Sequence, residues 1–532
     1  MPKLEQSFSN FFKLPNPGLK GYFEHVRNGN QEEYRTTFYK GTPISKVLEN
    51  WDKELKAIQK KWPSLYQFES DLREKVGPLS IMKPLAERMD DIDAYYDSIS
   101  MNQIPVSQGA IDATLREWKQ VAGLQIRSIN RTVELMKKST NSGSPYFTKR
   151  KRVLKQTLPF DIRANEEEII QYLNGATYDA CAVLGWRGQE GGPEWDDVKQ
   201  RVVWMFPFAV NIAELSVYQP LIESFQRFDL VPAWVSMESV DRRVTRLFDT
   251  KGDNEIICTD FSKFDQHFNR TCQKVAHDIL LKIFESDKNI ADWLKNVFPI
   301  KYNIPLAYDW DKVRYGKHGM GSGSGGTNAD ETLLHRTLQH ESALAQGKEL
   351  NPNSQCLGDD GILSYPGCSV EDVVQTYSSH GLRMNLDKQY VSKHDCTYLR
   401  RWHHNEYRQD GVCVGVYATM RALGRLCEQE RYYDPKVWGP KAVALRQLSI
   451  IENVKYHPLN ECFVDFCMKG DKFRLGLDIP EFMDNIEKEA QKLIEYMPDF
   501  LGYTKSLQFE GRETKTTGIE QWWVVQYLKS LK

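Results

Sequence analysis

The sequence predicts an α+β fold in which helical segments at both ends enclose a centre of short antiparallel strands. Three observations carry that expectation. Apolar residues recur at helical spacing from Gln67 to Met136, interrupted by Pro78 and Pro105, and again from Thr419 onward. Strand-like runs, Val198 to Met205 and Asn254 to Asp260, lie between those regions. The stretch from Ser354 to Ser364 places two more such runs around Gly358-Asp359-Asp360-Gly361. Gly tolerates positive φ and Asp bonds its own backbone, so this stretch reads as a tight antiparallel hairpin.

The chain's 532 residues exceed one hydrophobic core, so two or three subdomains are expected. Its 41% hydrophobic and 27% charged residues are ordinary for a globular enzyme. A net charge of −2 gives no global attraction to nucleic acid or membrane, so any polyanion site is a local concentration of Lys and Arg in a cleft. The ten cysteines are scattered, with no C-x-x-C pair and no His at zinc spacing, which points to reduced thiols in a cytosol-like compartment. Met1 to Gln6 has no signal-peptide apolar core, and no apolar run reaches ~18 residues, so no membrane partner is expected.

Taken in order, Ile44 to Trp62 is amphipathic and suits an N-terminal extension packed over the body. A basic and aromatic segment follows, with Lys149, Arg150, Lys151 and Arg152 beside Tyr146 and Phe147. Its loop-forming centre runs from Thr140 through Ser142 and Gly143 to Pro145. Positive charge between rings serves single-stranded nucleic acid by neutralising phosphate and stacking bases; a solvated basic helix is the plain alternative. Arg187 to Pro193 reads as a flexible loop leading into a strand. On that strand Lys199 and Arg201 share one face, either as a triphosphate grip or as the wet side of a sheet.

Asn254 to Asp260 reads as a buried strand ending in an acid, with Asp265 five residues on, and a helix is expected from Asn269 to about Glu285. Gly319 to Thr327 is the most flexible stretch by composition, feeding a helix from Asn328 to about Ala345 with Thr327 and Asp330 in capping-box register. A second capping box is expected at Ser369 and Asp372, and Gly381 suits the end of that helix. Leu382 to Val391 reads as extended chain carrying Lys388. A further hairpin is expected from Thr397 to Tyr417 around Asp410-Gly411.

Adjacent carboxylates at a hairpin tip repel each other unless something neutralises them, and hard oxygen ligands suit Mg²⁺ or Mn²⁺. Gly-Asp-Asp alone is weak, since composition produces it in roughly one chain in ten of this length. Its company is what informs: Asp260-x4-Asp265, then Ser322-Gly323-x3-Thr327, then Gly358-Asp359-Asp360, then Lys388 and Leu399-Arg400-Arg401-Trp402. This order resembles motifs A to E in the palm of viral RNA-dependent RNA polymerases. Lys199-x-Arg201 is similar to their motif F, and Thr140 to Pro145 to the template-side motif G. Over nearly its whole length the chain looks like the picobirnavirus polymerases.

The resemblance implies a right hand with an antiparallel palm sheet, closed by an N-terminal strap. Residues 1–62 would be the strap, 63–220 with 286–318 the fingers, 221–285 with 319–403 the palm, and 404–532 the thumb and tail. It implies RNA-directed RNA synthesis from ribonucleoside triphosphates, with two divalent cations, Mg²⁺ or Mn²⁺, held by Asp260, Asp359 and Asp360. Lys388 would protonate the leaving pyrophosphate. Lys199 and Arg201 would hold the triphosphate, Ser322, Gly323 and Thr327 would face ribose or template, and Asp265 would accept from the 2′-hydroxyl. Thr140, Ser142, Gly143, Lys149 and Arg150 would meet template RNA. The enzyme would copy a double-stranded RNA genome inside a capsid, in the virion and the host cytoplasm.

One departure stands out: the position four residues after Thr327, Asn in many relatives, is Glu331, with Asn328 and Asp330 beside it. Trp522 and Trp523 would either anchor a terminal helix or offer a stacking platform for a first nucleotide. Two rival readings are a reverse transcriptase, which the Gly before the twin acids and the Ser-Gly-x3-Thr loop disfavour, and an inactive RNA-binding relative, which Asp260 and Asp359 disfavour.

Overall fold

The computed structural model describes residues 8–13, 17–97, 99, 103–165, 167–497 and 518–532. At its centre is a four-stranded sheet ordered Gln355–Leu357, Asp360–Leu363, Ile256–Thr259 and Tyr390–Ser392, antiparallel throughout. Ile256 to Thr259 is buried on both sides, as its run of apolar residues requires. The helix Thr327–Ala345 packs against this sheet, with Leu333, Leu334 and Leu338 in the core. Helices Arg270–Ile283 and Val370–Ser379 flank it. Both have side-chain caps, from Asn269 to Cys272 N (3.2 Å) and from Ser369 to Asp372 N (3.2 Å).

A three-stranded sheet, Asp395–Tyr398, Arg401–His404 and Val416–Tyr417, packs beside the central one. Its tight turn is Leu399-Arg400, both at positive φ (50° and 64°), so the expected hairpin bends there as well as at Asp410-Gly411. A third sheet pairs Lys199–Met205 with Ala182–Gln189, which runs parallel to Leu306–Asp309. The expected loop at Arg187 therefore begins only at Glu190, because Arg187 to Gln189 pair along Lys199 to Arg201. Residues 160–179 form a separate meander that the sequence reading passed over.

The N-terminal segment is divided between two cores. Phe11, Phe12, Leu19 and Phe23 pack with Cys181, Val183 and Ala307, whereas Phe38, Val47, Trp51, Leu55 and Leu65 join the C-terminal helices. Tyr34–Arg35 adds a short antiparallel pair with Glu428–Gln429. Buried Glu69 on the helix Pro63–Arg73 accepts from Met420 N (3.0 Å), from the Thr419 hydroxyl and from His457, capping the helix Thr419–Cys427. The helix Pro63–Arg73 thus packs, through Leu65 as well, with the C-terminal helices.

Two local expectations fail for identifiable reasons. The helix Thr327–Ala345 starts at Thr327 and has no side-chain cap. Asp330 is instead drawn into a buried ion pair with Lys301 (3.0 Å) and accepts from Tyr218 and Tyr302 (2.7 Å each). Lys388 lies at the end of a 3-10 turn, Leu386–Lys388, rather than on extended chain, since Asn385 caps that turn through Asp387 N (2.9 Å).

Candidate active site

Gly358 and Asp359 form the turn between Gln355–Leu357 and Asp360–Leu363, and Gly358 has φ of +57°, where an L side chain is strained. The buried helix behind the turn fixes it in place. Gly358 N donates to Thr332 Oγ1 (2.9 Å), and His335 Nδ1 meets Gly358 O at 2.8 Å. Burial lowers His335 to about 4, so its neutral ring donates from Nδ1 to that carbonyl.

Asp260 follows the central strand directly and is exposed. Its backbone is clamped by a side chain the sequence reading missed: Gln389 accepts from Asp260 N (2.7 Å) and donates to Asp260 O (2.9 Å). Gln389 imitates one more strand pairing at the sheet edge, immediately beyond Tyr390↔Cys258. Spacing on an edge strand was the only signal for it.

Asp359 is also open to solvent, yet the protein around it and then the charge of Asp265 raise its carboxyl, Asp260 adding to the rise and Arg201 opposing it. The acids on the two strands are therefore electrostatic neighbours, with Arg201 in range. Asp360 is different. Its Oδ2 accepts from Leu399 N (2.7 Å), and burial, then Asp359, lift it to about 7.

Among the described residues, no group of three or more His, Cys, Asp or Glu side chains is drawn to metal-ligand spacing. The donor chemistry nonetheless fits hard divalent cations: carboxylate oxygens that destabilise one another, a state that a bound cation relieves.

Lys199 and Arg201 are both exposed on one face of their strand, as the period-two pattern requires. Burial lowers Lys199, its neighbour Lys75 lowers it further, and Asp260 and Glu190 oppose them. Both cations thus feel the acids of the central sheet.

The Gly319–Thr327 stretch, expected to be flexible, is held at many points. Met320 N donates to Asp265 O (2.9 Å), Gly321 N to Lys301 O (2.9 Å), Ser322 Oγ to Val202 O (3.0 Å) and Gly325 N to Glu214 Oε1 (3.2 Å). Thr327 Oγ1 closes back on Ser324 O at 3.2 Å. At Gly323 a Cβ would lie 1.5 Å from Trp204 O, so the loop lies against the strand that carries Lys199 and Arg201.

The candidate residues in and after the Thr140 to Pro145 segment separate into two sets. Thr140 and Lys149 are exposed. Ser142 is buried and accepts from Phe208 N through its carbonyl (2.8 Å), and the Gly143 carbonyl accepts from Phe147 N (2.7 Å). Arg150 donates to Asn211 Oδ1 (2.6 Å) and lies over the Phe208 ring. Lys388 is exposed next to Gln389. Trp522 and Trp523 pack on the C-terminal core, and Glu452 accepts from Trp523 N (3.1 Å) and Val524 N (2.9 Å), which is the anchoring role.

The family described as viral RNA-dependent RNA polymerase matches residues 108–413, over half the chain, a span that runs from before Thr140 to beyond Lys388. The chain belongs to the viral RNA-dependent RNA polymerases, enzymes that join ribonucleotides on an RNA template. It is 65% identical over 526 residues, 98% of either chain, to the "Potential RNA-dependent RNA polymerase" of Human picobirnavirus (strain Human/Thailand/Hy005102/-). The crystal structure of the RNA-dependent RNA polymerase of a human picobirnavirus superposes with a TM-score of 0.94 at 64% identity, covering 98% of both chains. That of an insertion-loop deletion mutant of such a polymerase gives 0.92 at 62% identity, again over 98% of both. A right-hand polymerase fold follows, and the reverse transcriptase reading falls away.

Proposed function

We propose that this polymerase copies and transcribes a double-stranded RNA genome by two-cation nucleotidyl transfer, with Asp260 and Asp359 as the bridging acids. The strand register that sets Thr259 opposite Gly361, and so brings Asp260 beside the Asp359-Asp360 turn, carries this reading. Asp360 is the weaker ligand, because Leu399 N takes its Oδ2 and leaves it one free oxygen or a water bridge.

Lys199 and Arg201 hold the incoming triphosphate, and Asp265 accepts from the ribose 2′-hydroxyl. Ser322, Gly323 and Thr327 shape the loop beneath the nucleotide. The 3′-hydroxyl of the growing strand loses its proton to water, its oxygen bonds to the α-phosphorus as the bond to the bridging oxygen breaks, and pyrophosphate leaves. Lys388 supplies that leaving group with a proton. Bound divalent cations, Mg²⁺ or Mn²⁺, lower the pKa of the attacking hydroxyl and stabilise charge on the leaving oxygens.

In the hand, the central sheet is the palm, the sheet bearing Lys199 and Arg201 belongs to the fingers, and the helices from Thr419 form the thumb. The N-terminal strap extends past residue 62 to about Val76, since its helices pack with the thumb. Thr140 and Lys149 meet the template directly, while Ser142, Gly143 and Arg150 shape the loop that presents it. The enzyme works inside the capsid, in the virion and the host cytoplasm. No helix among the described residues is long and apolar enough to cross a membrane.

Ribonucleotide incorporation by the purified chain on an RNA template tests the core of this reading. Asp359→Ala and Asp260→Ala are expected to cut it by at least about 10³-fold while leaving the fold intact. Retained synthesis in either would overturn the bridging assignment.

A further inference from the structure

The helix Phe208–Arg227 follows the strand that carries Lys199 and Arg201, and it is buried along most of its length. It nevertheless holds an amide and an acid in that buried stretch, Asn211 and Glu214. Three residues apart, the two share one face of the helix. A buried carboxyl is costly unless donors surround it, and three do. Glu214 Oε1 accepts from Asn211 Nδ2 (3.1 Å) and from Gly325 N (3.2 Å), and its Oε2 accepts from the Ser324 hydroxyl. Ser324 Oγ in turn accepts from Gly326 N (3.0 Å). On the other side, Asn211 Oδ1 accepts from Arg150 Nη2 (2.6 Å). Arg150 also donates from Nη1 to Lys137 O (3.1 Å) and from its backbone N to Thr140 O (2.9 Å).

We infer that Glu214 is a positioning residue for the Gly/Ser loop at 319–327 and that Asn211 joins it to Arg150. One buried relay then sets both the loop beneath the nucleotide and the segment that presents the template. This assignment rests on the reading of that loop as nucleotide-facing and of Thr140 to Arg150 as template-side.

The relay has a single polarity. Arginine only donates, a carboxylate only accepts, and an amide is the group that accepts from the one and donates to the other. Burial raises the Glu214 carboxyl, while Lys301 and then the donors from Ser324, Gly325 and Asn211 oppose that rise. The far side of the loop is fixed independently, since Ser322 Oγ donates to Val202 O (3.0 Å) and Gly323 lies against Trp204 O. Without Glu214, the Ser324 hydroxyl and Gly325 N would lose their acceptor, and the loop would be held mainly from the strand side. That change loosens a surface on which the nucleotide rests before chemistry, so it acts on KM. Loss of folded protein lowers apparent kcat and the melting temperature and leaves KM alone, which separates positioning from a merely structural role.

The test measures kcat and KM for a ribonucleoside triphosphate on saturating RNA template, together with melting curves, using the full-length chain. Glu214→Met, which removes both acceptor oxygens, is expected to raise KM about tenfold with kcat within about threefold of the parent. Glu214→Gln keeps one oxygen for Asn211 and Gly325 and offers an amide hydrogen to the Ser324 oxygen, so its KM is expected within about threefold of the parent. Asn211→Asp has the same shape but sets a second carboxylate against Glu214, and it is expected to raise KM about tenfold. Arg150→Met is expected to raise nucleotide KM about fivefold on its own and to add nothing in a Glu214→Met background, because the two act through one relay.

Parent-like KM in Glu214→Met, or a Glu214→Gln variant as impaired as Glu214→Met, would overturn the inference. So would an Arg150→Met effect that adds in full to that of Glu214→Met. Should Glu214→Met not fold, the isosteric Asn211→Asp decides: a raised KM agrees with the relay, and a parent-like KM ends it. Gly323→Ala tests the underlying reading separately, since its Cβ must push the loop off Trp204 O. An unchanged nucleotide KM there would remove that reading, whereas a raised KM beside a parent-like Glu214→Met would remove the relay alone.

Discussion

Thr259 stands directly opposite Gly361 in the central antiparallel sheet, so Asp260 and Asp360, one residue further on each strand, emerge side by side at the same end. That register brings together acids about a hundred positions apart, and the side chain missing at Gly361 helps to hold it. A Cβ there would lie 2.6 Å from His335 Cε1 and 3.2 Å from Thr259 Oγ1.

Gly361→Ala is therefore expected to push the twin-acid hairpin away from the helix that braces it. Overpacking of this kind costs about 1–3 kcal/mol, and the displacement of Asp359 should lower incorporation more than the lost stability explains. Thermal melting and single-nucleotide extension on the same preparation check both; a parent-like rate at reduced stability would show that the hairpin tolerates the shift.

Gln389 holds Asp260 through both backbone groups and also donates to Asn385 O (2.8 Å), so Gln389→Ala removes three hydrogen bonds and no catalytic atom. An incorporation rate lower by about ten- to a hundredfold is expected, with little change in KM for the nucleotide, because misplacing a reacting group chiefly slows chemistry. The ratio of kcat to KM effects is the measurement. A change confined to KM would argue that Gln389 serves the triphosphate instead.

Where Tyr34–Arg35 pairs with Glu428–Gln429, the buried Glu428 carboxyl lies near that of Glu33 and near the charge of Arg35. Burial, then the neighbouring Glu33, pushes Glu428 from its ordinary 4.5 up to about 9. The neutral form is the one the fold favours, so this contact's stability is fully present below about pH 4.5 and is lost as pH rises through about 9. Relative to the parent, Glu428→Gln should keep its melting temperature between pH 7 and 9.5, gaining a few degrees at the alkaline end and nothing near pH 5. Parallel melting curves across that range would contradict the pairing.

Much of the candidate site was legible because the chemistry it would carry depends on residue type. Acids ending strands, a glycine at a tight turn, two cations two apart and a Gly/Ser loop before a helix carry their meaning in short spacings. The errors came where a local signal competed with a distant partner. Thr327 and Asp330 have the spacing of a cap, but Lys301 and two tyrosines satisfy Asp330 better inside the core. The Gly/Ser stretch has the composition of a mobile loop, but its backbone is tied to Asp265, Lys301, Val202 and Glu214.

By itself, the sequence determined the kind of elements, their order, and which side chains were able to carry polymerase chemistry, because these follow from local preference and motif spacing. Only the tertiary structure decided what Asp330 pairs with, which amide clamps Asp260, and which half of the N-terminal segment packs with the C-terminal helices. Those choices depend on which distant groups satisfy a buried donor or acceptor, and a buried polar group left unpaired costs more than any local propensity returns.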